Sequence, residues 1–352
     1  ANLLVNGFFF FAIAIAALFM LALQYATESA WGVVTKRVYE AVMSYIPVGS
    51  IFLLIVLIAG SLHLNHLYHW MDPEVAKHDE LIANKGAFLN LPFFWVRTLV
   101  YIATFILFAR SFRKRSLLED QVGGTDIHFK NYRQGALFLV FFAVFSSTLS
   151  WDWLMSIDTH WFSTLYGWYV FSGMWVSAII VIILTVFYLQ SQGHLKVVNE
   201  SHIHDLGKWL FAISFLWSYL WFFQFMLIWY SNIPEEVTYF MFRIEHYKVP
   251  FFLMFAINFV LPMLFLMSRE SKRQRTLLTI IALVLFIGHW FDTYLLVMPG
   301  TMFAEQHYGI LEVGMFLAFL GLFMFVVLRA LTKAPLMPVH HPYLEESIHH
   351  HI

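Results

Sequence analysis

The sequence predicts an all-α polytopic membrane protein, and three observations carry the prediction. Of the 352 residues, 60% are hydrophobic and only 12% charged, at a mean hydropathy of +0.70, which is more apolar surface than one soluble core can hide. Apolar stretches long enough to cross about 30 Å of hydrocarbon recur nine times. Laid on an alternating path, these stretches sort the basic residues: of 21 Lys and Arg, 16 fall on one side and 4 on the other, and Arg97 lies inside a span.

The first span runs from Gly7 to Tyr25 and the second from Ser44 to His63. The third, Leu91 to Arg110, holds Arg97, and the fourth runs from Gln134 to Asp152. After a short Trp-rich turn come Thr164 to Gln190, Leu206 to Tyr230 and Lys248 to Met267, the last with Asn258 and Pro262 marking a kink. Thr276 to Met298 and Tyr308 to Arg329 complete the set. Lys36, Arg37, Arg110 to Arg115, Arg269 to Arg275, Arg329 and Lys333 share one side, whereas Lys77, Lys85, Arg243 and Lys248 share the other. By the positive-inside rule the first side is cytoplasmic, the C-terminus is inside and Ala1 is outside.

Ala1 is not Met, and an odd number of spans with an outside start suggests a missing earlier helix. Spans two to five and six to nine would each make a four-helix bundle, with a faint echo between the exits near Trp151 and Trp221. The final His349-His350-His351-Ile352 is shorter than a purification tag and reads as a native terminus. A net charge of −1 argues against a nucleic-acid partner. The chain has no cysteine, so it holds no disulfide, no Cys-ligated iron–sulfur cluster and no Cys-attached haem. Any electrons moved here are carried by other subunits.

An ionised side chain at membrane depth costs about 2.5 to 3.5 kcal/mol, so each one is a candidate. His289, Asp292 and Thr293 stand at i, i+3 and i+4, on one face of the eighth span, where a carboxylate beside an imidazole makes a proton acceptor and relay. A satisfied interhelical hydrogen bond is the bland reading. Asp152, Asp158 and His160 crowd the turn after the fourth span, framed by Trp151, Trp153 and Trp161; interfacial tryptophans and a helix cap would produce the same pattern. Arg97 needs an acid, with Asp152, Asp292 and Glu312 all within its choice, and a structural ion pair is its alternative role. Glu245, His246 and Glu312 also collect on the side poor in basic residues.

His63, His66 and His69 recur every three residues before Asp72 and Glu74. A metal site there lacks a second set of ligands with diagnostic spacing, so no metal is assigned. A bis-His haem would need His63 to face His289. Trp217, Trp221 and Gln224 form an aromatic stripe that reads first as packing.

Four stretches carry a family resemblance. They are Asn2 to Phe11 (Asn-Leu-Leu-Val-Asn-Gly-Phe-Phe-Phe-Phe), Trp151 to Tyr169 (opening Trp-Asp-Trp-Leu-Met-Ser-Ile-Asp-Thr-His-Trp-Phe-Ser-Thr), Gly288 to Pro299 (Gly-His-Trp-Phe-Asp-Thr-Tyr-Leu-Leu-Val-Met-Pro) and His341 to His350 (His-Pro-Tyr-Leu-Glu-Glu-Ser-Ile-His-His). Together they resemble the ActF-type, NrfD-like membrane subunits of bacterial alternative complex III, a quinol:cytochrome c oxidoreductase of the cytoplasmic membrane. The resemblance extends over essentially the whole chain.

It implies a fold of ten helices, the first missing here, as two four-helix bundles flanked by outer helices. A single NrfD-like domain would span 1–334, with bundles near 7–152 and 164–298, an outer helix at 308–330 and a cytoplasmic tail at 335–352. Implied partners are an ActC-like sister subunit, an ActB-like iron–sulfur subunit, multihaem cytochrome c subunits, small membrane anchors, lipids and a terminal oxidase. Menaquinol would be the substrate, with iron–sulfur clusters and c-type haems on the partners. In the family the better-supported quinol site lies on the sister subunit. Asp152, Asp158, His160, His289 and Asp292 are therefore carried over as residues of a polar, proton-conducting pathway, with Arg97, Glu245, His246, Glu312, His63 and His66 in support.

Overall fold

The computed structural model describes residues 1–304 and 309–351. Among them there is no strand, and nine helices are long and apolar enough to cross a membrane. They are α1 (Asn2–Ala26), α2 (Val33–Ser61), α3 (Leu91–Val122), α4 (Asp126–Ile157), α5 (Tyr166–Ser191), α6 (Glu200–Ser231), α7 (Lys248–Phe265), α8 (Arg275–Met302) and α9 (Ile310–Leu331). The protein is a multi-pass, all-α membrane protein. Tyr308, where the sequence places the start of the ninth span, lies outside the described residues.

Three helices make the interior. α1 is buried along almost its whole length, with α5 and α8 next. Its Phe8 to Phe11 run, at most 2% exposed, meets Phe286 of α8 and Phe316, Phe319 and Phe323 of α9 on one side and Phe105 and Trp153 on the other. α2, α4, α5, α8 and α9 all pack against it. Rings packed edge-to-face or tilted fill space without polar atoms, which suits a core where water is excluded and packing drives association.

Small residues set the closest crossings. A Cβ on Gly135 of α4 would come within 2.8 Å of the Ala22 carbonyl oxygen of α1, and one on Gly167 of α5 within 2.7 Å of Ser147 Cα of α4. Gly135→Val should therefore lower the thermal midpoint of the detergent-solubilised protein, by an overpacking cost of about 1–3 kcal/mol. An unchanged melting curve would show that α1 and α4 do not approach this closely.

Several helices depart from regularity where the sequence breaks it. α2 begins with a 3₁₀ turn, Val33–Thr35, and continues as Lys36–Met43 and Ile46–Ser61, the last piece with Pro47 in its first turn. In α7 a π-helical segment, Ala256–Val260, precedes Pro262, in keeping with the expected kink. α3 and α6 run several turns past their apolar stretches, starting from side-chain caps at Asn90 and Asn199. One end of the molecule carries most of the arginines, together with the tail; it is called the arginine-rich end below. At the other end short helices Pro73–His78, Glu80–Asn84 and Pro234–His246 cover the mouths of the spans.

Candidate functional site

The buried acids separate into distinct settings. Asp152 is fully buried and held by a bidentate pair from Arg97, Nε to Oδ2 at 2.9 Å and Nη2 to Oδ1 at 2.7 Å, with Tyr101 donating to Oδ2 at 3.0 Å. Arg97 also donates to the Phe88 carbonyl and lies 4.0 and 4.1 Å from the rings of Phe88 and Phe93. Beside it Trp153 donates to Thr98, and Tyr68 donates to the Trp153 carbonyl. Of the three acids open to Arg97 in the sequence, only Asp152 is its partner. This pair is closed upon itself, with both carboxylate oxygens occupied, and does not join Asp158 or Asp292. Asp152 and Arg97, expected beside Asp158, His160, His289 and Asp292 in one polar pathway, are thus bonded apart from them.

Asp292 sits elsewhere, buried among α5, α6 and α8. Tyr169 donates a short hydrogen bond to Oδ1 and Trp217 Nε1 donates to Oδ2 at 3.0 Å. Gly173 makes room, since a Cβ there would press on Oδ2 at 3.4 Å. His289, one turn earlier, is 2% exposed, lies edge-on to Trp217 at 5.4 Å between ring centroids, and neither ring nitrogen makes a hydrogen bond to the described residues. His289 and Asp292 share one face of α8 but are not hydrogen-bonded to each other; the Asp292 oxygens accept from Tyr169 and Trp217. Both residues instead line one cavity of about 20 Å³, together with Thr293 and Leu296.

A second cavity of about 20 Å³ adjoins Tyr169 and Leu296 and is lined by Gln224, Tyr239 and Arg243. Each is large enough for one water molecule. Tyr239 and Arg243 in turn border an open mouth of about 380 Å³ that contains Asp158, His160 and Asp79. Arg243 donates to Asp158 at 3.1 Å, to the Leu295 and Tyr239 carbonyls at 3.2 and 3.0 Å, and stacks over the Tyr239 ring; Tyr239 stacks on Trp161 at 3.8 Å. A Cβ on Gly300 would fall 2.7 Å from Asp158 Oδ1, so the glycine admits the carboxylate. His160 Nε2 and Asp79 Oδ2 are 2.5 Å apart at the rim, and this contact holds the Asp79 carboxyl below the usual range. Leu296 is common to the linings of the two small cavities, and Tyr239 and Arg243 to those of the second cavity and the mouth. Asn258, fully buried in the π segment with neither amide atom hydrogen-bonded to the described residues, lies against Gly288, one residue before His289.

The remaining sequence candidates are dispersed. Glu312 accepts from Asn2 at 2.9 Å and from the Gly309 N–H at 2.8 Å, the bonding of a helix cap. Glu245 is exposed, and His246 packs on Phe242. His63 and His66 are exposed at the end of α2, so His63 does not face the buried His289. Asp72 caps the helix Pro73–His78 through the Glu74 N–H.

The sequence reading missed Arg243, Tyr169 and Tyr239. It also missed a buried cluster at the arginine-rich end, where Glu119, His128 and His341 bring ligand-type atoms within 4.8 Å of one another. Lys36 donates to Glu119 at 2.8 Å, and neither ring nitrogen of His128 is hydrogen-bonded to the described residues. The tail closes over this cluster: Tyr343 donates to Glu28, Ser347 to the Trp31 carbonyl and Asn199 to the His350 carbonyl, while His350 meets Asp205 at 2.6 Å.

Burial, reinforced by Lys36, pushes the imidazole of His341 down to about 2. A released tail would carry it near its ordinary value of about 6.5. The released state therefore binds the extra proton below that pH, so docking is complete above it and weakens as the pH falls. Hydrogen exchange in residues 339–351, corrected for its intrinsic pH dependence, should accelerate from about pH 7 to about pH 5, and His341→Gln should flatten the response. Exchange that ignores pH would refute the docking role of His341.

No protein-family model and no curated protein matches this chain.

Proposed function

We propose that this chain is an NrfD-like membrane subunit of a quinol:cytochrome c oxidoreductase of the alternative complex III type, and that it supplies a proton path between the membrane interior and one face. The observation that carries the reading is a set of three cavities with shared lining residues, Leu296 between the first two and Tyr239 and Arg243 between the second and third, from His289 and Asp292 to the mouth at Asp158 and His160. The long motifs from Trp151 and from Gly288 provide most of the residues along it. In this reading the arginine-rich end faces the cytoplasm, as basic loops do, and the mouth faces the outer compartment, where the iron–sulfur and multihaem subunits take electrons from menaquinol.

Quinol oxidation releases two electrons and two protons. A chain without cysteine offers a route for the protons and leaves the electrons to its partners. Asp292, desolvated and held by two neutral donors, is the proton-binding group. Tyr169 and single waters in the small cavities pass the proton to the Arg243–Asp158 pair, whose mutual neutralisation removes the electrostatic barrier that a lone arginine would impose. His160 and Asp79 receive it at the rim. Arg97 and Asp152 serve the scaffold, tying α3 to α4.

Mild-detergent purification through this chain from its native membrane tests the assignment. The expected result is co-elution of an iron–sulfur subunit and c-type haem, with quinol:cytochrome c activity. Elution of the chain alone, with no haem absorbance, would overturn it.

A further inference from the structure

A further cavity lies apart from the mouth at Asp158 and the two small cavities beside it. It holds about 740 Å³ at the arginine-rich end, between α2, α3 and α9. The break in α2 at Ser44, ahead of Pro47, opens it on one side. Its floor is apolar, formed by Met43, Pro47, Ile106, Ala109, Phe325 and Val326, and its rim is cationic. Arg110, Lys114, Arg329 and Lys333 are all exposed there, and none of their side chains makes a hydrogen bond or ion pair among the described residues.

Charge inside the cavity does not offset that rim. Glu40 is its one acid, and Glu40 is already bonded to Arg37 and, through a short contact, to Arg113. Arg113 is further held at the Ala330 carbonyl. The cavity therefore combines four uncommitted cations with a hydrocarbon-like floor, at the level where helices leave the apolar stretch. Its position in a membrane matches the zone of lipid phosphates, where basic pockets between helices bind anionic head groups.

We propose that this cavity is a binding site for an anionic phospholipid, whose phosphate is held by Arg110, Lys114, Arg329 and Lys333 and whose acyl chains descend along Ile106, Phe325 and Val326. The phosphate accepts from the guanidinium groups, whose planar forks match its geometry. The site joins α9 to α2 and α3 through the lipid. The proposal needs only that the chain spans a membrane and is independent of the electron-transfer reading.

Native mass spectrometry of the full chain in detergent, titrated with phosphatidylglycerol or with phosphatidylethanolamine, tests the site. Phosphatidylglycerol should bind preferentially. The double variant Arg110→Gln/Arg329→Gln should weaken it roughly thirtyfold, at about fivefold per charge. Lys130→Gln/Arg133→Gln, which removes two exposed charges at the same end but outside the cavity, should leave it nearly unchanged. Ala109→Trp, which fills the floor, should also lower affinity, and millimolar inorganic phosphate should fail to displace the lipid. Equal losses in both charge variants would reveal diffuse attraction and overturn the site. So would displacement by inorganic phosphate, which would make it a free-anion site, or cross-linking of Arg110 and Arg329 variants that places an acidic protein partner there in a lipid-free complex.

Discussion

Replacing Arg97 by leucine should strip the protein of about 3–5 kcal/mol of stability, the cost of leaving one member of a buried ion pair without the other. Asp152 is wholly enclosed, and with Arg97 gone its carboxylate keeps only the Tyr101 hydroxyl. Thermal melting of the purified chain, together with its yield in membranes, reads the effect. The double variant Arg97→Leu/Asp152→Leu should recover much of the loss, because removing both charges removes the desolvation problem. Recovery should stop short of wild type, since the guanidinium also lies against Phe88 and Phe93. A single variant as stable as wild type would mean that water reaches Asp152 and that the pair is not the clamp described above.

On the proposed function, Asp292→Asn should leave assembly intact and lower proton-coupled quinol:cytochrome c turnover about a hundredfold or more, the lower range for removing a positioned proton carrier. The amide keeps the shape of the carboxylate. Its oxygen can still accept from Trp217, while the Tyr169 hydroxyl can turn from donor to acceptor. What disappears is a group that can take up and give back a proton. Tyr169→Phe and Arg243→Gln, along the same path, should give smaller losses. Asp152→Asn lies off the path and should retain turnover per assembled complex. Full turnover with Asp292→Asn, at undiminished proton release, would remove the path from the mechanism and leave a structural role for this subunit.

How far sequence reasoning reached is visible in individual helices. All nine spans are where the hydropathy places them, because a stretch that must cross hydrocarbon advertises its length. Hydropathy is blind beyond the lipid, and so α3 ends at Val122 rather than Arg110 and α6 begins at Glu200 rather than Leu206. Those extra turns are polar, and Arg115, for instance, is bonded to Asn131 and Gln134 of α4. Pairings were less legible than positions. Three acids competed for Arg97 on sequence grounds, and only the rotation of α3 against α4 selects Asp152.

The same holds for Asp292, whose partners Tyr169 and Trp217 come from helices that share no sequence signal with it. Arg243 did have one. As one of only four basic residues on its side, followed within five residues by the start of a span, it was an anomaly that could have been weighed with the acids. The cluster of Glu119, His128 and His341 had none, because its third member comes from a tail more than two hundred residues downstream.

The position of α1 bears on how the protein is made. Its neighbours include α8 and α9, and Trp290 on α8 donates to Asn6 on α1 across 284 residues of chain. α1 therefore cannot complete its final surroundings until α8 and α9 have been inserted, and contacts so distant in sequence close slowly. During that interval Asn6 and the phenylalanines beside it face lipid or a chaperoning insertase. Ribosomes stalled before residue 275 should hold a protease-sensitive nascent chain, and release of the two final spans should be the step that makes it resistant.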